Sequence, residues 1–168
     1  MVGQRGLPSA RAFIGDLADR LSNRVQLTVD GHRPYLQAVE ETFGSDIDFA
    51  QLIKVYGASG EAQTRYSPGQ CIGCDTNTIT GNPDPRHIST SFVERQNLTM
   101  RMSMRRFTRL TNAFSKKLEN HMAAIALYFM YYNFARVHQT LRVSPAMAAG
   151  VTSKLWDVED IINLLESN

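Results

Sequence analysis

A chain of 168 residues with 43% hydrophobic residues and a net charge of +2 has the length and apolar content of one folded domain, or one domain with a helical appendage. No stretch approaches the ~18–20 consecutive apolar residues of a bilayer-spanning helix, and the first thirteen residues, MVGQRGLPSARAF, lack the apolar run and cleavage site of a signal peptide. Two cysteines are too few for a disulfide framework, so a reducing, cytoplasmic setting is expected.

The first element is a helix over 9–22, capped by Ser9, with Phe13, Leu17 and Leu21 on one face. Val25, Leu27 and Val29 then alternate with polar neighbours, which predicts a strand running into Asp30-Gly31. A second helix opens at Pro34 and stops at Gly44. DFAQLIKVYG, ending at Gly57, reads as a second strand. Strands alternating with helices at this spacing predict an α/β arrangement with two parallel strands and flanking helices. Residues 57–89 are rich in glycine and proline and hold the CIGC pair, Cys71 and Cys74. They predict a long loop, with room for a short hairpin.

Beyond the loop the pattern turns helical. Met100, Met104, Phe107, Thr111, Phe114 and Leu118 form one apolar stripe, and Arg101, Arg105 and Arg109 form a second stripe four apart. The methionines, Met102 included, read as core, as does the apolar helix holding YFMYY. Ser144-Pro145 opens a short helix that Gly150 ends, and Asp157 caps a last one. The expected division is an α/β domain over 1–118, holding the long loop 57–89, and a helical extension over 119–168.

Charge is segregated. Between Arg86 and Lys117 eight basic residues face one acid, Glu94, a net of +7, so the rest of the chain carries −5. A solvated basic helix or a polyanion-binding face both fit that distribution. Asp30 alone is most simply a turn residue and Glu94 alone a helix-start acid. In open α/β sheets, however, ligand groups gather at the carboxyl ends of strands, where Asp30 is expected.

Three segments, VQLTVDGH, SFVERQNLTMR and YYNFARVHQTLRVSPA, are together similar to the catalytic domain of bacterial insertion-sequence transposases of the DDE type. That resemblance implies an incomplete ribonuclease H-like fold followed by a mostly helical C-terminal region. It implies DNA as substrate, and phosphodiester cleavage and strand transfer at the ends of an insertion sequence. Asp30 then matches the second catalytic acid and Glu94 the third, both as ligands of Mg²⁺ or Mn²⁺ in the intact enzyme. Arg101, seven residues after Glu94, matches a phosphate-binding position. Arg95, Arg105, Arg106, Arg109, Lys116, Lys117, Arg136 and His138 complete the expected DNA-contacting set, although Arg136 and His138 could equally secure the turn into SPAMAAG.

The sequence departs from that pattern at the first acid. Asp16 and Asp19 are the only acids before Asp30, and both fall inside a helical pattern. A chain truncated at its N-terminus and inactive alone is therefore expected. The alternative is a non-catalytic DNA-binding or interaction module that associates with full-length transposase or with a second copy of itself. No membrane partner is expected. His32 could approach the acids or simply sit at a helix start. Zinc at Cys71 and Cys74 would need further ligands, of which His87 is the nearest candidate, and is not expected.

Overall fold

The computed structural model describes residues 4–57, 69–108 and 111–166. It is a mixed α/β protein that divides into two compact units, Met1–Leu98 and Thr99–Asn168. Among the described residues no helix is long and apolar enough to cross a membrane.

In the first unit, α1 spans Leu7–Asp19, β1 Gln26–Val29, α2 Pro34–Phe43, β2 Asp48–Tyr56 and β3 Cys71–Thr80. Helix α1 starts two residues ahead of Ser9. Gly6 is its extended N-cap, and proline in the first turn presets the helical φ. It also stops earlier than the expected 22, at Asp19, where Arg20 and Leu21 donate to the carbonyls of Leu17 and Ala18 at 3.1 Å in a tighter last turn. Helix α2 keeps the expected bounds, and Gly44 takes φ +53 immediately after it.

β1 pairs with β2 in parallel, Val29 opposite Gln51. Ala10 and Ile14 of α1 pack with Ala38 and Val39 of α2, and with Val29, Ile47 and Phe49 of the sheet. Phe49, Ile14 and Ile47 are at most 1% exposed. Each such side chain contributes on the order of 1.5–3 kcal/mol by leaving water.

Within the expected loop over 57–89, residues Cys71–Thr80 form a strand, β3, and residues 58–68 lie outside the described residues. β3 lies antiparallel to β2 from Phe49↔Thr80 to Tyr56↔Cys71, giving a three-stranded mixed sheet in the order β1-β2-β3 rather than a parallel pair alone. Its Thr- and Ile-rich stretch suits a pleated surface, but nine of its ten residues are exposed. No hydrophobic alternation announces it. The return from β3 is fixed by side chains. Asn82 donates its amide N–H to Asp48 Oδ1 at 2.8 Å. The Gln26 amide brackets the backbone of Asp84, donating to its carbonyl at 3.1 Å and accepting from its N–H at 2.8 Å. A single 3₁₀ turn, Pro85–His87, leads to α3, Ser91–Ser103.

The apolar stripe from Met100 to Leu118 is not one helix. After α3, Met104 is extended (φ −125, ψ 107) and Arg105–Phe107 form a 3₁₀ turn. Arginines four apart repel along a helix face, and Arg106, in the 3₁₀ turn, donates to the Ser115 hydroxyl and the Asn120 carbonyl. The methionines split accordingly. Met100 and Met104 are half-buried, but Met102 is 81% exposed and is not core.

In the second unit α4 runs Leu118–Met130 and continues as one π turn, Tyr131–Ala135. Tyr128 is buried there and Tyr131 exposed, so YFMYY is core on one side only. α5, Pro145–Ala148, is capped by the fully buried Ser144, whose hydroxyl accepts from the Met147 N–H. α6, Val158–Glu166, opens on a reciprocal box: Asp160 N–H donates to Asp157 Oδ1 at 2.9 Å, and Asp157 N–H to Asp160 Oδ2 at 3.0 Å.

Candidate acidic and nucleic-acid-binding site

Asp30 stands at the C-terminal end of β1. Its Oδ1 accepts the His32 N–H at 3.0 Å, closing a turn on itself. Its backbone carbonyl accepts from the Gln51 amide of β2 at 2.9 Å, and Gln51 is buried. Gly31 passes close to β2: a Cβ there would lie 3.5 Å from the Ile53 side chain. The turn carrying Asp30 is therefore fastened to the neighbouring strand. Beside it Arg5, Ser9, Phe13, His32 and Tyr35 line a concavity of about 340 Å³.

Glu94 lies in the first turn of α3. Lys54 Nζ donates to both of its carboxylate oxygens at 2.6 Å, and the Thr90 hydroxyl donates to Oε1 at 2.8 Å. The Lys54 hydrogen bonds, then that of Thr90, hold the Glu94 carboxyl below its ordinary range, and Glu94 in turn raises Lys54. Lys54 lies on β2 three residues past Gln51, the partner of Val29. Asp30 and the Lys54–Glu94 pair thus both lie toward the C-terminal end of the parallel strands. The sequence pattern anticipates Asp30 at a strand end and Glu94 at a helix start, but it does not single out Lys54. Its signal was a lysine inside the otherwise apolar LIKVY.

The two carboxylates keep separate partners. Oxygen donors of this kind suit magnesium, yet both Glu94 oxygens are occupied by an ammonium. Among the described residues no group of three or more His, Cys, Asp or Glu side chains converges for a metal.

The basic residues divide into two kinds. Arg95, Arg101, Arg105, Lys116 and Lys117 are exposed. The last four take no part in the ion pairs found among the described residues. Arg106 is half-buried and bound to Ser115 and Asn120, so its part is to hold the chain. With Arg105 in a 3₁₀ turn, the expected helical stripe Arg101–Arg105–Arg109 does not form on one helix, and Arg109 lies outside the described residues. Arg136 is exposed, its guanidinium 5.9 Å from the Tyr132 ring centre. His138 serves the turn: its N–H donates to Val143 O at 3.1 Å, and its carbonyl accepts from Arg142 N–H at 2.7 Å. Its ring packs edge-on to Tyr132 at 4.5 Å.

His87 Nε2 lies 3.8 Å from Asp84 Oδ2 and joins no cluster with the cysteines. No family model matches the chain, and no curated protein and no solved structure matches it either.

Proposed function

We propose that this chain belongs to the catalytic region of an insertion-sequence transposase of the DDE type, with a ribonuclease H-like fold, and that the polypeptide by itself binds DNA without cutting it. The observation that carries this reading is that Asp30 and Glu94 both lie toward the C-terminal end of the parallel strands, the first on β1's tip and the second tied to β2 through Lys54. That is the end at which open α/β sheets assemble ligand sites. The exposed cations after Glu94 supply the phosphate-neutralising charge that DNA binding requires. Two acids with separate partners, one of them neutralised by lysine, favour binding over hydrolysis for this polypeptide. In a complete site Mg²⁺ or Mn²⁺ would supply the activation of the attacking oxygen. A further copy of the chain, or a full-length transposase, is the proposed protein partner.

The test is one incubation with two readouts. The purified chain is mixed with duplex DNA carrying a transposon terminal repeat, in Mg²⁺ or Mn²⁺, and both retardation and nicking are followed. Binding whose log affinity falls linearly with log salt, without nicking, is the expected result. Nicking that Glu94→Gln abolishes would make the polypeptide an enzyme in its own right. Absence of DNA binding at low salt would remove the reading altogether.

A further inference from the structure

Cys71 and Cys74 open β3, and a regular strand sends side chains three positions apart to opposite faces. The register reverses this. Cys74 lies opposite Lys54, Gly73 opposite Val55, and Cys71 opposite Tyr56, so Ile72 is an extra residue, a bulge. Lys54 and Tyr56 are two apart and share a face, and residues directly opposite in an antiparallel pair share theirs. Both cysteines therefore belong to the face that carries Lys54.

Each cysteine is a free thiol and exposed. The Cys71 thiol donates to Gly73 O at 3.3 Å, which holds its side chain along the bulge. Desolvation first, and hydrogen bonding with Cys71 second, push the Cys74 thiol up, as expected of two sulfurs side by side. The Lys54 ammonium also feels Cys71.

Adjacent thiols on one face chelate. Structural zinc takes four ligands, and among the described residues no third His, Cys, Asp or Glu joins these two. A thiophilic d¹⁰ ion content with two sulfurs meets no such shortage, and thiolates select monovalent copper over harder cations. We propose that Cys71 and Cys74 form a two-sulfur site for a thiophilic cation of the monovalent-copper class, seated at the bulge of β3. Binding exchanges two thiol protons for one ion: two Cys–SH and one Cu⁺ give a dithiolate complex of charge −1 and two H⁺ in solution. Nothing is oxidised or reduced. This site is independent of the DNA-binding reading.

The experiment titrates the reduced chain, without oxygen, against Cu(I) held by bicinchoninate. One equivalent should be withdrawn. Cys71→Ser and Cys74→Ser should each weaken uptake by more than the ~10–100-fold that loss of an outer-shell partner costs, with the far-UV spectrum unchanged. A trivalent aryl arsenical, which needs two neighbouring thiols, should add once to the wild-type chain and not to either variant, as read by intact mass. The proposal is overturned if no copper is withdrawn, if either single variant binds like wild type, or if the arsenical fails to add. Copper that stays on the double serine variant overturns it too, since the ion would then sit on thioethers such as that of the exposed Met102.

Discussion

Lys54 grips both carboxylate oxygens of Glu94 at 2.6 Å, joining β2 to the first turn of α3 across 40 positions of sequence. The acid that the sequence offers as a metal ligand is held by a cation. Glu94's side chain is 51% exposed and Lys54's 30%, so the pair is worth no more than a surface ion pair, roughly 0.2–1 kcal/mol. Lys54→Ala should therefore leave the fold intact and move the Glu94 carboxyl upward toward its ordinary range, as followed by side-chain NMR. The same change should raise Mn²⁺ affinity at Glu94, by up to about fivefold on that energy scale, as read by solvent-water relaxation. An unchanged Glu94 titration would show that the pair does not govern this carboxylate.

Arg24 and Asp48 give the first unit an acid-sensitive joint. Arg24 binds both Asp48 oxygens, Nη2 to Oδ1 at 2.8 Å and Nε to Oδ2 at 3.1 Å. These bonds, and then the Asn82 amide, lower the Asp48 carboxyl from 3.8 to about 2. A depressed carboxyl stabilises the fold above its unfolded value, and that contribution is lost as pH falls toward the folded one. Thermal stability should accordingly decline between about pH 4 and pH 2, and Asp48→Asn should start lower and flatten that part of the profile. Melting followed by circular dichroism across the range decides it.

Gly81 permits that joint. It takes φ +71, and a Cβ there would stand 2.2 Å from Asp48 Oδ1, 2.7 Å from Arg24 Nη2 and 2.8 Å from Ile47 O. Strain in the left-handed region alone costs roughly 1–3 kcal/mol, and the collision with a backbone carbonyl adds to it. Gly81→Ala should lower the denaturation midpoint markedly. Gly44→Ala, also at positive φ but with nothing within 4 Å of a Cβ, should cost less. Equal losses would show that conformation alone, and not the Asp48 contact, sets the requirement.

If the exposed cations meet phosphates, Arg101→Ala and Arg105→Ala together should reduce the salt slope of DNA binding by about 2. Arg106→Ala should instead lower stability, since its partners are Ser115 and Asn120. Fluorescence anisotropy at several salt concentrations separates the two effects.

What was legible in the sequence was local. Pro34 and Gly44 bracket α2, Ser144 caps α5, and Asp157 caps α6, because each signal acts within one turn. The parallel pairing of β1 and β2 followed from apolar runs separated by a helix. β3 was not legible: it is solvated along both faces and is specified by hydrogen bonds to a distant strand rather than by hydrophobic period. The end of α3 was hidden for the opposite reason. Its apolar spacing continues beyond Ser103, whereas the chain leaves the helix there and Arg106 bonds to Ser115 and Asn120. Asp30 and Glu94 could each be assigned to an element; that a lysine from β2 would neutralise Glu94 could not.

β1 covers β2 only from Asp48 to Gln51, whereas β3 accompanies β2 as far as Tyr56. Among the described residues, no third strand accompanies the two from Leu52 onward, and they run out as a ribbon. Ribbons of that kind are marginal in water, so amide protons should exchange progressively faster from Ala50 toward Tyr56. Fraying at the tip of the ribbon would then expose the pairing of Cys71 and Cys74 with β2 while the core around Phe49 stays closed.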